Sequence, residues 1–408
     1  MTASGVTPDA PDTPSTRVAK GLQGASGTAG AYGLHVEQWR PTHVQIDLDA
    51  LGRNVKRIAA ATGVDVCAVV KADGYGHGAV AVARQALDAG ATWLAVALVE
   101  EAAVLRRAGI DAPILLLSEP PVAAVQAVVD LNLTATVYSE PFIGALDRIG
   151  AERHQRIAVH VKADTGMTRV GIPEDQWDNR LADLAAQQSL DITGVQTHLA
   201  CADEPTDEPT RSQLAAFERF RALASGHGID PPIVHAANTA AALTRPEARY
   251  TMVRAGIGIY GLSPSSDVDA RDHGMEPVMR LVSQVAYAKR IPVGTAVSYG
   301  HRWQAPSDGW LATVPIGYAD GVPRAISGQA TVWLNGSARP IAGTVCMDQL
   351  MIWCGDHVPQ VGDEVVLFGG AQGPRAEDWA QMAGSITYEI ATGITSRVPR
   401  VVADSVRS

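Results

Sequence analysis

From His43 onward the chain alternates between short apolar runs and stretches in which apolar residues recur every three or four positions. Eight such runs stand out, at 64–70, 93–98, 114–118, 134–138, 157–163, 191–199, 233–237 and 252–259. They are dense in Val, Ile, Leu and Ala, as parallel strands covered on both faces are. The segments between them, such as Ala79 to Ala89 and Glu100 to Ala108, carry the periodicity of covering helices. Eight strand–helix units in succession predict an α/β fold of the (β/α)8 barrel type over 39–275, with a doubly wound open sheet as the alternative.

Beyond about residue 275 long helical stretches give way to strands, predicted at 281–291, 295–299, 309–318, 330–345, 349–354 and 363–368. Asn335-Gly336 between apolar runs signals a hairpin. A short helical patch near Ala376 to Met382 precedes Thr387-Tyr-Glu-Ile and a final Ser396-Arg-Val-Pro-Arg-Val-Val. The expectation is a mainly β C-terminal domain over 276–408, joined by an early strand near 43–48 that would tie the two chain ends together. The opening segment 1–38 is rich in Gly, Ala, Ser, Thr and Pro and reads as a disordered tail.

Composition narrows the function. A chain of 408 residues with 46% hydrophobic and 19% charged content suits a globular enzyme. A net charge of −10 argues against a basic face for nucleic acid or anionic lipid, so small-molecule partners are favoured. Cys67, Cys201, Cys346 and Cys354 are scattered without paired spacing, which suggests neither disulfides nor a metal site. No run reaches membrane-span length and no signal-peptide core is seen, so the expected location is cytoplasmic.

Barrel active sites gather at the C-terminal ends of the strands, and the chemistry-bearing residues fall there. Lys71 closes the first run in Val64-Asp-Val-Cys-Ala-Val-Val-Lys71-Ala-Asp-Gly-Tyr75-Gly-His-Gly78, where three glycines let backbone approach a ligand and Tyr75 offers a phenol. An amine so placed can capture a cofactor aldehyde; equally, it could make a structural ion pair. Lys162, Asp164 and Arg169 follow the fifth run, His198 the sixth, Asn238 and Thr239 the seventh, and Arg254 lies in the eighth. Each alone could be a cap, a core histidine or a salt bridge, but together they converge on one rim.

Nine motifs in order, AVVKADGYGHG, VKADTGMTRVG, THLA, HAANTAA, MVRAGIGIYG, VSYG, GYADG, CMDQ and ITYE, resemble those of the alanine racemases from about Pro41 to Arg400. The resemblance implies pyridoxal 5′-phosphate as cofactor, alanine as substrate, a two-base reaction supplying D-alanine for peptidoglycan, and a homodimer with shared sites. By that resemblance Lys71 binds the cofactor and serves as one base, while Tyr299 from the neighbouring subunit is the other. Two are needed because one base cannot reach both faces of Cα. A free phenol, with a reference pKa of about 10, is a poor base, so a cation beside it is required, and Arg169 is the candidate. Tyr75, Thr239, Tyr388 and the amides near Gly256 and Ile257 match the phosphate site, His198 the residue against the ring, and Asn238 a support of the ring.

Arg254 matches the arginine facing the pyridine nitrogen. A guanidinium donates a hydrogen bond without surrendering its proton, so the ring stays a weaker electron sink than one paired with a carboxylate, and transamination is disfavoured. Met347 and Asp348 match residues the second subunit brings to the substrate carboxylate, and Tyr318 an entrance residue. Lys162 matches a lysine carbamylated in many members; otherwise it would pair with Asp164. A racemase of broader small-residue specificity, a related decarboxylase and a non-catalytic cofactor-binding barrel stay open at this stage.

Overall fold

The structure, a computed structural model, describes residues 39–204, 208–370 and 373–403. The expected tail at 1–38 lies outside the described residues. One compact unit runs from Pro41.

Eight strands form one all-parallel sheet: β2 (Asp65–Val69), β3 (Trp93–Val96), β4 (Ile114–Leu116), β5 (Thr134–Val137), β6 (Ile157–Lys162), β7 (Leu190–Gln196), β8 (Ile233–His235) and β9 (Met252–Ala255). From β2 to β8 each pairs with its neighbour in sequence, and β9 pairs with β2. The last seam, between β8 and β9, is stitched by the Thr251 amide to Val234 O (3.1 Å) and the Arg254 amide to Ala237 O (3.0 Å), while the Thr251 hydroxyl accepts from the Val234 amide at 2.7 Å. The barrel of the sequence reading is therefore observed, and the open-sheet alternative is not. β4 and β5 are buried along their whole length, as both-face coverage requires.

Local signals set the element ends. The helix Leu48–Thr62 starts where Asp47 accepts from the Ala50 amide at 2.8 Å and stops at Gly63, whose φ of +68° closes the last turn. The run read as 252–259 is strand only to Ala255, then a tight turn over Ile257–Tyr260.

The β portion holds three sheets. β1 (His43–Ile46) lies between β10 (Met279–Gln284), antiparallel, and β19 (Arg400–Val402), parallel. β15 (Thr331–Leu334), β16 (Ser337–Pro340) and β18 (Glu364–Phe368) extend that sheet on the β10 side. A second sheet contains β11 (Tyr287–Ile291), β14 (Gly309–Val314) and β17 (Leu350–Gly355); β12 (Ala296–Val297) and β13 (Trp303–Gln304) make a small ribbon. Asn335 and Gly336 take φ of +48° and +77° between β15 and β16, the two-residue hairpin turn expected of that dipeptide.

The single strand expected over 281–291 is two strands. The Val285 amide bonds Asp363 O and the Ala286 amide bonds Thr313 O, so the chain leaves one sheet and enters another at that step. The segment beginning Thr387-Tyr-Glu-Ile is a helix to Gly393.

Candidate active site

Lys71 opens a turn that the glycine pattern only hinted at. Ala72, Asp73, Gly74 and Tyr75 all adopt left-handed backbone, with φ of 52°, 52°, 62° and 52°. For each of the three that carry a side chain, this conformation costs roughly 1–2 kcal/mol, so the surroundings must enforce it. Glu101 accepts from the Ala72 amide at 2.6 Å through Oε1 and from the Ala97 and Leu98 amides through Oε2. Asp73 Oδ1 accepts from the Ala79 amide at 2.8 Å. Buried His77 faces Gly74 O and Tyr75 O through Nδ1, at 3.1 and 2.9 Å, so that nitrogen carries the proton. Burial pushes its pKa down to about 4 and keeps the ring neutral.

Across the barrel mouth Arg254 is 4% exposed and held by both of its Nη groups. Nη1 donates to His235 O and His235 Nδ1 at 3.0 and 2.8 Å; Nη2 donates to Thr197 O, Ala236 O and His198 Nδ1 at 2.8, 2.9 and 3.2 Å. Its Nε–H makes no hydrogen bond among the described residues and is the donor left for a ligand. Since a guanidinium only donates, His235 Nδ1 must accept, and its Nε2–H points to His160 Nδ1 at 2.9 Å. The His160 ring fills the space that Gly194 leaves, where a Cβ would sit 2.6 Å from it. Burial lowers the Arg254 pKa to about 10, still protonated at neutral pH.

Lys71 has no ion-pair partner among the described residues, nor has Lys162, whose amine donates to Leu117 O at 3.3 Å. The structural alternative of a Lys162–Asp164 pair is thus not observed: Asp164 Oδ1 instead accepts from the Gly166 and Thr168 amides. Burial, with Arg169 nearby, lowers the Lys71 pKa, and Glu101 opposes the change. Burial lowers Lys162 to about 7, aided by Arg254, Arg169 and Lys71. The rim is a partly desolvated cationic cluster whose electrostatics call for an anion.

A group of backbone amides and hydroxyls adjoins it. The Thr239 hydroxyl accepts from the Gly256 and Gly258 amides at 3.0 and 3.3 Å, while the Ile257 amide between them has no partner among the described residues. A Cβ on Gly256 would stand 2.5 Å from the Tyr75 hydroxyl, so only glycine leaves that phenol its place. Tyr75 packs against Tyr260 (4.9 Å between centroids) and Tyr388 (6.1 Å), and Tyr260 donates to Val69 O at 2.9 Å. Burial raises the Tyr75 pKa to about 12 and Tyr388 further still, so both hydroxyls stay protonated donors. Asn238 caps the helix Thr239–Thr244 by accepting from the Ala241 amide at 3.1 Å.

The structure does not join every expected residue to this rim. Tyr299, Tyr318 and Met347 are 72%, 41% and 52% exposed on the β portion, and among the described residues no hydrogen bond or ring contact links their side chains to Lys71 or Arg254. Asp348 pairs with Arg397 at 2.7 Å, and Arg397 also reaches buried Asp320 at 3.4 Å. Arg169 is exposed beside Thr168, whose φ is +55°. Glu101, His77, His160 and His235 are additions that the sequence reading did not single out.

Residues 46–264 match the model of the alanine racemase N-terminal domain, and 278–402 that of the C-terminal domain. The chain belongs to the alanine racemase family. It is 44% identical to an alanine racemase of Thermobifida fusca over 369 residues, spanning 89% of this chain and 98% of that one. It is 43% identical to that of Streptomyces coelicolor, over 88% and 94%. The solved alanine racemase from D-cycloserine producing Streptomyces lavendulae superposes with a TM-score of 0.88 at 39% identity, covering 91% and 99% of the two chains. That of Bacillus anthracis with bound L-Ala-P gives 0.82 at 37%, covering 91% and 97%. Among the described residues no helix is long and apolar enough to cross a membrane, and no cluster of His, Cys, Asp and Glu could hold a metal.

Proposed function

We propose that the protein interconverts L- and D-alanine with pyridoxal 5′-phosphate held at the barrel rim, supplying D-alanine for peptidoglycan. The observation that carries this reading is the Lys71 amine: it opens the turn that follows β2, lacks an ion-pair partner among the described residues and is pushed toward its neutral form by burial and Arg169. A neutral amine is what captures an aldehyde and what accepts a proton. The donor set fits the cofactor. Tyr75, Tyr388 and the Ile257 amide would hold the phosphate beside Thr239 and Gly256, Arg254 Nε–H would meet the ring nitrogen, and neutral His198 and Asn238 would flank the ring.

When bound, pyridoxal phosphate supplies an aldehyde for the amino group and a conjugated ring that takes up the electron pair of the Cα–H bond. Lys71 moves the proton on one face of Cα. Tyr299 of a second copy moves it on the other, and its exposure on a single chain suits a role completed in a homodimer. Arg169 binds the substrate carboxylate, Met347 closes on the substrate with Asp348 beside it, and Tyr318 lines the entrance. Scattered cysteines suit a reducing cytoplasm.

Incubation with cofactor and L-alanine in deuterated water tests the reading. D-alanine carrying Cα deuterium is expected; carbon dioxide release, or no exchange in a cofactor-loaded dimer, would overturn it.

Lys162 completes the site as a carbamate, an anion set among Arg169, Arg254 and Lys71. Only the neutral amine reacts with carbon dioxide, and a lysine lowered to about 7 is half neutral near physiological pH. After addition of ¹³C-bicarbonate, a carbamate resonance is expected in the NMR spectrum, absent in Lys162→Met and fading as the pH falls through about 7. A spectrum unchanged by that substitution would remove Lys162 from this role.

A further inference from the structure

The left-handed turn that carries Lys71 and Tyr75 meets the C-terminal segment at three points. The Tyr388 ring lies 6.1 Å from that of Tyr75. Ala391 O crowds Gly76, where a Cβ would come within 2.6 Å of it. Arg400, the first residue of β19, donates from Nε to Gly76 O at 2.9 Å. Its other nitrogens are committed to the C-terminal segment: Nη1 to Thr395 O at 2.7 Å and Val398 O at 2.6 Å, Nη2 to Ile394 O at 2.6 Å.

No carboxylate lies within ion-pair distance of Arg400 among the described residues. The charge of Asp73, in the same turn, acts on this guanidinium without an ion pair, and its hydrogen bonds cross-link carbonyls of two segments 324 residues apart. Gly76 directly follows the four left-handed residues, so a pull on its carbonyl is a constraint on the turn. His77 grips the same turn through Gly74 O and Tyr75 O, its ring packed 4.5 Å from that of Tyr260. Only a planar fork reaches carbonyls on both sides at once; a lysine nitrogen is a single point.

We infer that Arg400 is a positioning residue, which locks the Lys71 amine and the Tyr75 hydroxyl in register for the cofactor, so that cofactor capture depends on the docked C-terminal strand. The inference rests on the pyridoxal phosphate reading of the rim. It adds a residue that touches neither cofactor nor substrate in that reading.

Apoprotein of the wild type, Arg400→Lys and Arg400→Gln is titrated with pyridoxal phosphate, following the visible absorbance of the lysine-bound cofactor, with thermal melting of each apoprotein alongside. Losing a charged hydrogen bond predicts a Kd raised by about tenfold or more in both variants. At saturating cofactor, KM for alanine should stay within about threefold of wild type, because the carboxylate site is untouched. A lowered melting temperature with unchanged cofactor Kd would mean a merely structural role and overturn the inference. Wild type that fails to bind cofactor would instead sink the proposed function. Should neither variant fold, hydrogen exchange on the wild type decides: cofactor should slow exchange over 394–402, and no slowing there overturns the coupling.

Discussion

Lys71→Ala is expected to lower alanine racemisation by at least about 10⁴-fold, because on the proposed reading it removes both the amine that captures the cofactor and one of two proton-transfer groups. Its fold should survive. The wild-type amine is penalised on folding: its pKa is lowered chiefly by burial, with Arg169 adding to the effect. The folded chain thus binds fewer protons than the unfolded chain between the two pKa values. The penalty is full at pH below the folded value and is relieved as pH rises toward the unfolded one. Alanine at this position removes the penalty, so the variant apoprotein should melt no lower than wild type, with its margin greatest at acidic pH. Thermal melts across pH and chiral assay of the product check the two halves. Turnover above about one per cent of wild type would remove Lys71 from the chemistry.

The barrel was legible because most strand positions are buried on both faces, throughout β4, β5 and β9, and a run such as Ile114-Leu-Leu leaves no other economical reading. Placing Lys71, Lys162, His198 and Arg254 on one rim needed only that fold and the positions of the run ends. The left-handed turn was not legible. Ala72, Asp73 and Tyr75 adopt it against their own preference, enforced by Glu101 and His77, and glycine counting finds only residues that permit such backbone.

Buried polar partners were also missed. His160 interrupts an apolar strand and His235 opens a quoted motif, and a histidine inside a both-face-buried strand is a signal that it must be paired. Which group it pairs with depends on residues 19 and 75 positions away, information that local pattern does not contain. Arg400 is the extreme case, since its partner at Gly76 lies at the other end of the chain. The exposed Tyr299 belongs to a different class: a single chain leaves it facing solvent, and its place in the chemistry is a statement about a second copy.

Mixing two inactive variants should restore activity. On the proposed reading Lys71→Ala removes one base and Tyr299→Phe the other, and the homodimers alone are expected to lose at least about 10⁴-fold and about 10²-fold or more in turnover, respectively. If each site takes Lys71 from one subunit and Tyr299 from its partner, a mixed dimer has one site with both lesions and one with neither. Random reassortment makes roughly half of the dimers mixed, each with one working site of two, so the mixture should recover about a quarter of wild-type activity. If Lys71 and Tyr299 of the same chain served one site, every site in the mixture would keep a lesion and nothing would return. The experiment also separates roles. Neither substitution removes a charge partner that the fold uses, since Lys71 lacks one among the described residues and the Tyr299 side chain is 72% exposed. Recovery therefore reads the sharing of sites between subunits and not the rescue of folding. A mixture that exchanges subunits, shown by mass, yet stays inactive would end the shared-site reading.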